Sequence, residues 1–317
     1  MSLTIRLAAR DWDYLTPIAL GDVTSERLHI SVDRVGTLVP NVAEDAGHDV
    51  AEASFSNYSL LRLDGRRDIV GVPHFVMRSF RNRCVITLEK SEMTEFSHLK
   101  GKRIGVTGWR DSGNTWTRAL LRREGVEVED AQWFAGRLTD KHPITDRLGR
   151  FARPGLIEAC PDERPLMDLL REGFLDAVFT PFMPDGFFEP GSGLRQLQAN
   201  YRAAEKAYYA DVGYVPGIHI LTAKATILHE HPWLAQELSD LIDQSRRMWI
   251  AKRRKYADTT PWMFEELAKT AADLPDNWTV SGLDPNKRMI EDFTKELWAQ
   301  GITGRQLSVE ELFPEAR

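Results

Sequence analysis

The sequence predicts an α/β protein of two lobes, each built on a mostly parallel sheet that helices cover. Three observations indicate this fold class. Strand-like apolar runs alternate with helical runs along the first part of the chain, which is typical of parallel sheets with crossover helices. The alternation restarts after the basic and aromatic segment HFVMRSFRNR, and from Thr226 onward the periodicity is helical only.

The first block of the chain contains four segments whose β-branched or alternating apolar residues predict strands. They are LTIRLAA (3–9), LHISVDRV (28–35), DVAEAS (49–54) and RDIVGVPHF (67–75), and Pro73 interrupts the last of them. The run SNYSLLRL, which begins at Ser56, has helical periodicity. Strand and helix therefore alternate as a parallel sheet requires.

The second block repeats this order. Its predicted strands are CVITLEK (84–90), GKRIGVTG (101–108), AQWFAG (131–136) and LDAVFTP (175–181). The helices TWTRALLRREGV and PLMDLLREG end at Gly125 and Gly173, and glycine is a common helix C-terminal signal. Residues 137–165 are rich in charge, proline and glycine and are expected to form a long excursion, while GYVPGIHILTA returns the chain to a strand.

Two blocks joined twice predict a discontinuous first lobe, residues 1–80 and 215–317, and a second lobe, residues 81–214. The C-terminal helices, each with a proline near its start, are assigned to the first lobe. Ligands of open α/β sheets bind at the carboxyl ends of the strands. In two facing lobes those ends predict an interlobe ligand cleft that closes by a hinge.

Composition excludes several classes of protein. With 317 residues, 42% hydrophobic and 28% charged, the chain can bury a sizeable core. A formal net charge of −6 lacks the basic footprint of a nucleic-acid-binding protein. The start of the chain has no signal-peptide pattern and no apolar run reaches the ~18 residues that span a bilayer. We therefore expect a cytoplasmic protein without nucleic-acid or membrane partners, and a homo-oligomer is compatible with the sequence.

Few motifs point to a cofactor or a metal. The two cysteines, Cys84 and Cys160, have no metal-ligand spacing and are expected to be free thiols, with a catalytic cysteine as the less favoured reading. The histidines of HEHPWL (229–234) lack the spacing of known zinc motifs. Neither GxGxxG nor a phosphate-binding loop follows a strand. The sequence therefore predicts no metal and no nucleotide cofactor.

Candidate ligand-binding residues lie just past the predicted strands. The first lobe contributes Asp11, Trp12, Asp13, Glu52, Ser54, Ser56 and His74. The second contributes Trp109, Ser112, Asn114, Thr115, Trp116, Thr180 and Pro181. The crossover segments add Arg78, Arg81 and His219.

Together these residue types suit a small, planar, acidic ligand. Arginines bind carboxylates bidentately, helix N-termini favour anions, and tryptophans provide flat apolar walls. Each residue also has a structural alternative. The aspartates terminate strands, the serines cap helices, the tryptophans belong to the core, and the arginines form internal ion pairs.

The chain resembles the 4,5-dihydroxyphthalate decarboxylase family over nearly its whole length. The resemblance rests on the order and spacing of several segments. They are DVAEASFSNYSLL, the pattern P-x-F-x-x-R-x-F-R from Pro73 to Arg81, LKGKRIGV followed by WTRALLRREGV, LDAVFTPFMP, VPGIHILTA, HPWLAQEL, and GLDPNKRMIEDF with LSVEELF. The sequence departs from the family pattern between Thr107 and Thr117 and in residues 137–161.

The resemblance implies a type 2 periplasmic-binding-protein-like fold and decarboxylation of a hydroxylated aromatic acid. Such a reaction needs an acid that protonates the ring carbon bearing the carboxylate. The ring itself accepts the electrons, so no cofactor is expected. His219, which matches a family histidine, is the favoured acid, with His74 as the alternative. Glu52 would orient His219 or contact the phenol, and Arg78 and Arg81 would hold carboxylates.

Two other functions remain open from the sequence. The fold that the resemblance implies is also a receptor fold, so a non-catalytic binding protein for a small acidic aromatic ligand is the main alternative. A third reading is an enzyme of different chemistry with the same fold, such as its pyrimidine-synthesis relatives. Those carry a cysteine-rich or histidine-rich segment that this chain lacks.

Overall fold

A computed structural model describes residues 2–314 of the chain. The chain divides into two compact units. The first comprises Met1–Arg78, Gly217–Glu291 and Leu307–Arg317. The second comprises Ser79–Pro216 and Asp292–Gln306. Each unit is built on a sheet of its own.

The described residues contain eleven strands and ten α-helices, besides short 3₁₀ turns. The strands are β1 (Leu3–Ala9), β2 (Leu28–Arg34), β3 (Val50–Ser54), β4 (Ile69–Arg78), β5 (Val85–Leu88), β6 (Arg103–Val106), β7 (Gln132–Ala135), β8 (Ile157–Ala159), β9 (Ala177–Phe179), β10 (Leu194–Gln196) and β11 (Gly217–Lys224). The helices are α1 (Thr16–Ala19), α2 (Phe55–Leu63), α3 (Ser112–Arg123), α4 (Leu166–Arg171), α5 (Tyr201–Val212), α6 (Ala225–Glu230), α7 (Leu234–Lys255), α8 (Met263–Asp273), α9 (Lys287–Ala299) and α10 (Val309–Leu312).

The sheet of the first unit has the strand order β2-β1-β3-β11-β4. β1 runs parallel to β2 and β3, whereas β11 runs antiparallel to both β3 and β4. The expected parallel arrangement therefore holds for only part of this sheet. Ile5 and Leu7 of β1 pack with Leu221 of β11 and with Leu238 and Ile242 of α7 in one apolar core. Burial on this core fixes the central strands β1, β3 and β11 beside one another.

The pairing of β11 with β4 is irregular. His219 pairs with Met77 but Leu221 pairs with Val72, so β4 has extra residues between the two pairs. Pro73 lies in this bulged stretch, which is where a strand can accept proline, because proline has no N–H to donate to the ladder. The bulge lets β4 continue as one strand past the proline, to Arg78.

The sheet of the second unit has the order β10-β5-β9-β6-β7-β8. β6 is parallel to β7 and β9, β7 is parallel to β8, and β5 is antiparallel to β9 and β10. The sequence did not predict β8 and β10. Each is only three residues long, too short for an alternating pattern to be recognised.

Residues 292–306 belong to the second unit, whereas the sequence assigned every C-terminal helix to the first. Phe293 of α9 packs on Trp116 with a ring-centroid distance of 5.2 Å. Gln300 accepts a hydrogen bond from Arg118 and donates one to the Thr115 carbonyl. These contacts hold the second part of α9 and the turn after it on α3.

No helix within residues 2–314 is both long and apolar enough to cross a membrane.

The start of β11 requires a glycine. A Cβ atom at Gly217 would overlap the Phe75 ring and lie 2.9 Å from the Met289 methyl carbon. The Phe75 ring is itself held edge-on against Phe55.

We expect Gly217→Ala to lower the free energy of unfolding by about 1–3 kcal/mol, because an added methyl group overpacks the core. Urea unfolding measures this difference. Gly36→Ala is the control because a Cβ there meets nothing within 4 Å. Equal stability of the two variants would contradict this account.

Candidate functional site

Glu52 and His219 form a hydrogen-bonded pair in the centre of the first sheet. His219 of β11 pairs with Ser54 of β3, and Leu221 pairs with Glu52. Since alternate residues share one face of a sheet, Glu52 and His219 are diagonal neighbours on the same face. Their side chains meet through Oε1 of Glu52 and Nδ1 of His219 at 2.5 Å. Strand register therefore creates the pair.

The second carboxylate oxygen of Glu52 also accepts hydrogen bonds. Its Oε2 accepts hydrogen bonds from the Arg10 backbone N–H and the Trp12 indole N–H, both at 2.8 Å. Glu52 itself is only 1% exposed. A buried carboxylate is stable only when donors satisfy it, and here two backbone or side-chain N–H groups and one imidazole do so. The carboxylate is consequently fixed in place.

This arrangement determines which nitrogen of His219 can meet a ligand. An ionised carboxylate only accepts hydrogen bonds, so Nδ1 carries the proton in the contact with Glu52. Nε2 is then the nitrogen left for a ligand, and 13% of the side chain remains exposed. A histidine oriented by a carboxylate can give or take a proton at its other nitrogen. The pair is thus chemically suited to acid–base catalysis.

Aromatic side chains support this pair from one side. The rings of Trp12 and Tyr14 are stacked with centroids 6.4 Å apart. The Tyr14 hydroxyl donates to the Val76 carbonyl at 2.6 Å, and the guanidinium of Arg246 lies 3.7 Å from the Tyr14 ring centre. Burial raises the pKa of Tyr14 well above its usual range. Tyr14 therefore stays protonated and serves as packing for Trp12.

His74, the alternative acid, does not have the properties of one. It is 1% exposed, and within residues 2–314 its Nδ1 has no hydrogen-bond partner. Burial, followed by the charges of Arg246 and Arg78, lowers the pKa of His74 to about 3. A neutral buried imidazole cannot protonate a substrate at neutral pH, so the structure corrects this assignment.

Arg78 donates hydrogen bonds to residues of its own unit. Its Nη2 donates to the Val280 carbonyl at 3.1 Å and to the Asn286 side-chain oxygen. Its guanidinium carbon lies 5.0 Å from the centre of the Phe75 ring. Burial lowers its pKa to about 9. The expectation that Arg78 holds a ligand carboxylate is therefore corrected: the side chain anchors the segment before α9.

Arg81, in the second unit, differs from Arg78. Its Nε donates to the Gly113 carbonyl at 3.1 Å and to Thr117 Oγ1 at 3.2 Å. Both terminal nitrogens are buried, and neither has a hydrogen-bond partner among the described residues. Burial lowers the pKa of Arg81, and it raises the pKa of nearby Glu205 to about 7. An incompletely paired buried cation favours an anionic partner.

Gly113 allows Arg81 to lie at the start of α3. A Cβ atom on Gly113 would be 2.8 Å from Nη2 of Arg81. Any larger residue at this position would displace the guanidinium. The glycine in GWRDSGNTW, a segment that departs from the family pattern, thus has a structural reason in this chain.

The polar candidates around α3 and β9 mainly stabilise their own turns. Asn114 donates to the Gly108 carbonyl and Thr107 Oγ1. Thr115 Oγ1 donates to the Asp111 carbonyl, and Thr180 Oγ1 to the Phe182 carbonyl. The donor groups of these three side chains therefore stabilise local turns, and their contact with a ligand stays a prediction.

Trp109 and Trp116 belong to the core of the second unit. They are 0% and 3% exposed. Trp109 packs edge-on against Trp133 and under the guanidinium of Arg118, 3.9 Å from its ring centre. Their predicted role as ligand walls is therefore corrected in favour of core packing.

The remaining candidates are distributed as follows. Asp11 forms an exposed ion pair with Arg34, and Asp13 lies 3.9 Å from Arg253 at the surface. Ser54 ends β3 and Ser56 is buried in the first turn of α2. Ser112 is buried at the start of α3, and the Pro181 carbonyl accepts a hydrogen bond from Arg83.

The sequence did not predict Arg10 and Tyr14 as residues of the site, although both lie close to the end of β1.

A cavity of about 350 Å³ lies at the carboxyl ends of β7 and β8 in the second unit. Its lining includes Arg137, Arg147 and Cys160 and, within the described chain, none of the predicted site residues. Burial raises the pKa of Cys160 to about 12. The thiol therefore remains protonated, which argues against a nucleophilic cysteine here.

Comparison with known proteins identifies one relative over nearly the whole chain and a second over part of it. No family model matches the sequence. The chain is 26% identical over 324 residues to a 4,5-dihydroxyphthalate decarboxylase of Comamonas testosteroni, covering 99% of this chain and 97% of that protein. The resemblance predicted from the sequence is confirmed. A second decarboxylase of the same name, from Pseudomonas putida, is 27% identical over 170 residues, covering 53% of this chain and 66% of the relative. Both relatives are decarboxylases and hence carboxy-lyases, the enzyme class that the sequence predicts.

Solved structures confirm the fold. The aliphatic sulphonate binding protein SsuA of Escherichia coli has a TM-score of 0.59 at 12% identity and covers 99% of this chain and 98% of its own. A Candida albicans protein with the generic periplasmic binding protein fold has a TM-score of 0.54 at 15% identity, covering 99% and 95%. The desulfurization enzyme DszB has a TM-score of 0.54 at 14% identity, covering 97% and 96%. The predicted periplasmic-binding-protein-like fold is therefore correct.

The two arginines should respond differently to substitution. Arg81→Gln is expected to weaken the binding of any carboxylate that contacts Arg81 by about 1.5–3 kcal/mol, the usual value of a charge-assisted hydrogen bond. Arg78→Gln should lower the free energy of unfolding instead, because it removes the bonds to Val280 and Asn286. Calorimetric titration and urea unfolding separate the two effects. Weaker binding in Arg78→Gln with unchanged binding in Arg81→Gln would reverse the assignment.

Burial of His74 predicts a pH-dependent stability. The unfolded chain protonates this imidazole near pH 6.5, whereas the folded chain does so only near pH 3. Between these two pH values the unfolded state therefore binds more protons than the folded state. As the pH falls below 6.5, protonation of His74 in the unfolded chain lowers the free energy of unfolding by about 1.4 kcal/mol per pH unit.

His74→Gln should remove this contribution. The difference in unfolding free energy between parent and variant is expected to shrink as the pH falls from 7 towards 5, measured by urea unfolding at each pH. His29→Gln, at an exposed position of β2, is the control and should run parallel to the parent. A constant difference for His74→Gln would contradict the buried neutral state.

Proposed function

We propose that this protein decarboxylates a hydroxylated aromatic carboxylic acid similar to 4,5-dihydroxyphthalate. The observation that supports this best is the Glu52–His219 pair, in which a buried carboxylate holds a partly exposed imidazole. The names of the two decarboxylase relatives agree with this chemistry. Such a pair provides the acid that ring protonation needs.

Apart from the substrate, the reaction consumes only one proton. A hydroxyl ortho or para to the carboxylate-bearing carbon pushes electrons onto that carbon, which takes a proton from Nε2 of His219. The bond between this carbon and the carboxylate then breaks, its electron pair returns to the ring, and CO₂ leaves. A proton taken up from the solvent returns to Nε2 of His219, so that one carboxylate and one proton are converted to the C–H bond of the product and CO₂. The aromatic ring itself accepts and returns the electrons.

Glu52 serves this step as a positioning residue. Its carboxylate holds Nδ1–H, which directs Nε2 towards the ligand and stabilises the imidazolium before proton transfer. Trp12 and Arg10 hold the carboxylate in turn. A fixed acid needs little reorganisation when the proton moves, and this lowers the barrier.

Arg81 is our proposed carboxylate-binding residue. Its two terminal nitrogens are the pair that a carboxylate engages in a bidentate contact, and within residues 2–314 they have no acceptor. An acidic ligand would supply the acceptors that these two nitrogens lack. Ser112 directly precedes Gly113 in the first turn of α3 and is also buried.

A non-catalytic solute-binding protein is the second candidate. It is supported by the fold that the chain shares with sulphonate-binding SsuA. A binding protein does not need a histidine whose protonation changes during a reaction, so the Glu52–His219 pair favours the enzyme. A panel of hydroxylated mono- and dicarboxylic aromatic acids, assayed both for binding and for CO₂ release, distinguishes the two functions.

Loss of the proposed acid should affect turnover more than binding. His219→Gln is expected to lower the rate of CO₂ release by about 10²–10⁴-fold, the usual contribution of general acid catalysis, while substrate affinity stays close to that of the parent. His29→Gln, an exposed histidine substitution on the same sheet, should have the parent rate.

Two results would contradict the proposal. Release of CO₂ by His219→Gln at the parent rate would remove His219 as the acid. Tight binding of one acid by the parent with no CO₂ release from any member of the panel would establish the binding protein instead.

A further inference from the structure

Helix α8 and the chain before it expose an unusual amount of aromatic surface. Trp262 is 78% exposed, Phe264 is 72% exposed and Tyr256 is 56% exposed. No side chain of α8 is fully buried. Trp262 also has a positive φ of 61°, which bulky residues rarely adopt. A contiguous exposed apolar patch commonly marks an interaction site, whereas single exposed side chains are ordinary.

The exposed apolar residues of α8 form one stripe. Phe264, Ala268 and Ala271 are all exposed and are spaced at i, i+4 and i+7, so they share a helix face. Met263 and Leu267 are less exposed, and Arg253 of α7 contacts the Met263 sulfur at 3.4 Å. One side of α8 therefore faces its own unit while the stripe faces outward. Its two alanines would allow another helix to approach closely.

The charges beside the stripe are arranged for self-recognition. Glu265 and Lys269 form an ion pair at 2.8 Å along the helix. They lie at equal separations on either side of Leu267. An antiparallel copy of α8, related by a two-fold axis near this residue, would place Glu265 opposite Lys269 of the second copy.

The same two-fold axis matches the apolar residues. Phe264 and Ala271 lie at nearly equal separations from the axis, so the large ring of one copy would sit over the small side chain of the other. Two-fold interfaces require such a self-complementary surface, because each patch meets itself. A patch of one charge, or one with large residues at both ends, would not satisfy this condition.

We propose that the chain forms a two-fold dimer through antiparallel packing of α8 against α8 of a second copy. The occupant of the stripe is thus another copy of this chain. An aromatic side chain buries about 150–250 Å², so Phe264 supplies part of the ~800 Å² per partner of a standard interface, and the residues around the stripe supply the rest. The flanking charges fix the antiparallel direction.

Sedimentation velocity over a concentration series tests the proposal with the full chain. The parent is expected to show a reversible monomer–dimer equilibrium. Phe264→Asp should raise the dimer dissociation constant by about 30-fold or more, as loss of a central interface residue does. Phe188→Asp is the matched control, since Phe188 is 84% exposed but lies in the second unit.

Charge exchange provides the sharper test. Glu265→Lys and Lys269→Glu should each weaken the dimer, because each places like charges opposite one another across the axis. The double variant should recover the parent dissociation constant, because opposite charges face one another again. Circular dichroism establishes that every variant is folded.

Three results would overturn the proposal. The parent could remain monomeric at every concentration, the dimer could persist unchanged in Phe264→Asp, or the double charge exchange could fail to recover it. Binding of a monomeric parent to anionic lipid vesicles would assign the stripe to a membrane surface instead. Decarboxylation is not needed for any of these measurements, so they are independent of the proposed activity.

Discussion

The buried carboxylate of Glu52 is the constraint on which the site of the first unit depends. Removing a carboxylate from water costs several kcal/mol unless hydrogen bonds compensate it. The compensating donors come from Arg10 and Trp12, just after β1, and from His219 on β11. These segments meet only because β3 lies between β1 and β11 in the sheet. The strand order of the fold and the acid–base pair therefore depend on each other.

The fold alone does not distinguish an enzyme from a receptor. A sulphonate-binding protein and a desulfurization enzyme share it with this chain at 12% and 14% identity, as expected when function resides in side chains carried by a common scaffold. In this protein the distinguishing feature is local. A partly exposed imidazole that a buried acid holds in place is suited to proton transfer as well as to holding a ligand.

Buried arginines show why spacing alone cannot assign a role. Arg78 and Arg81 are three residues apart and look equivalent in sequence. Arg78 ends β4 and meets the carbonyl of Val280 and the amide of Asn286, residues about two hundred positions later. Arg81 lies near the start of the second unit and donates to the Gly113 carbonyl in the first turn of α3. Acceptors from distant segments bind Nη2 of Arg78, whereas among the described residues neither terminal nitrogen of Arg81 has an acceptor.

Much of this protein follows from its sequence by itself. Apolar periodicity determined most strands of both sheets, the α/β class and the two strands that carry Glu52 and His219, because these depend on local patterns. Contacts between distant segments determined the three-residue strands β8 and β10. Such contacts also determined that the second part of α9 belongs to the second unit. Likewise, only tertiary structure decided that Trp109 and Trp116 are core residues, that His74 is neutral and that β3 and β11 pair Glu52 with His219. Burial and register arise from segments far apart in the chain, and no local pattern contains them.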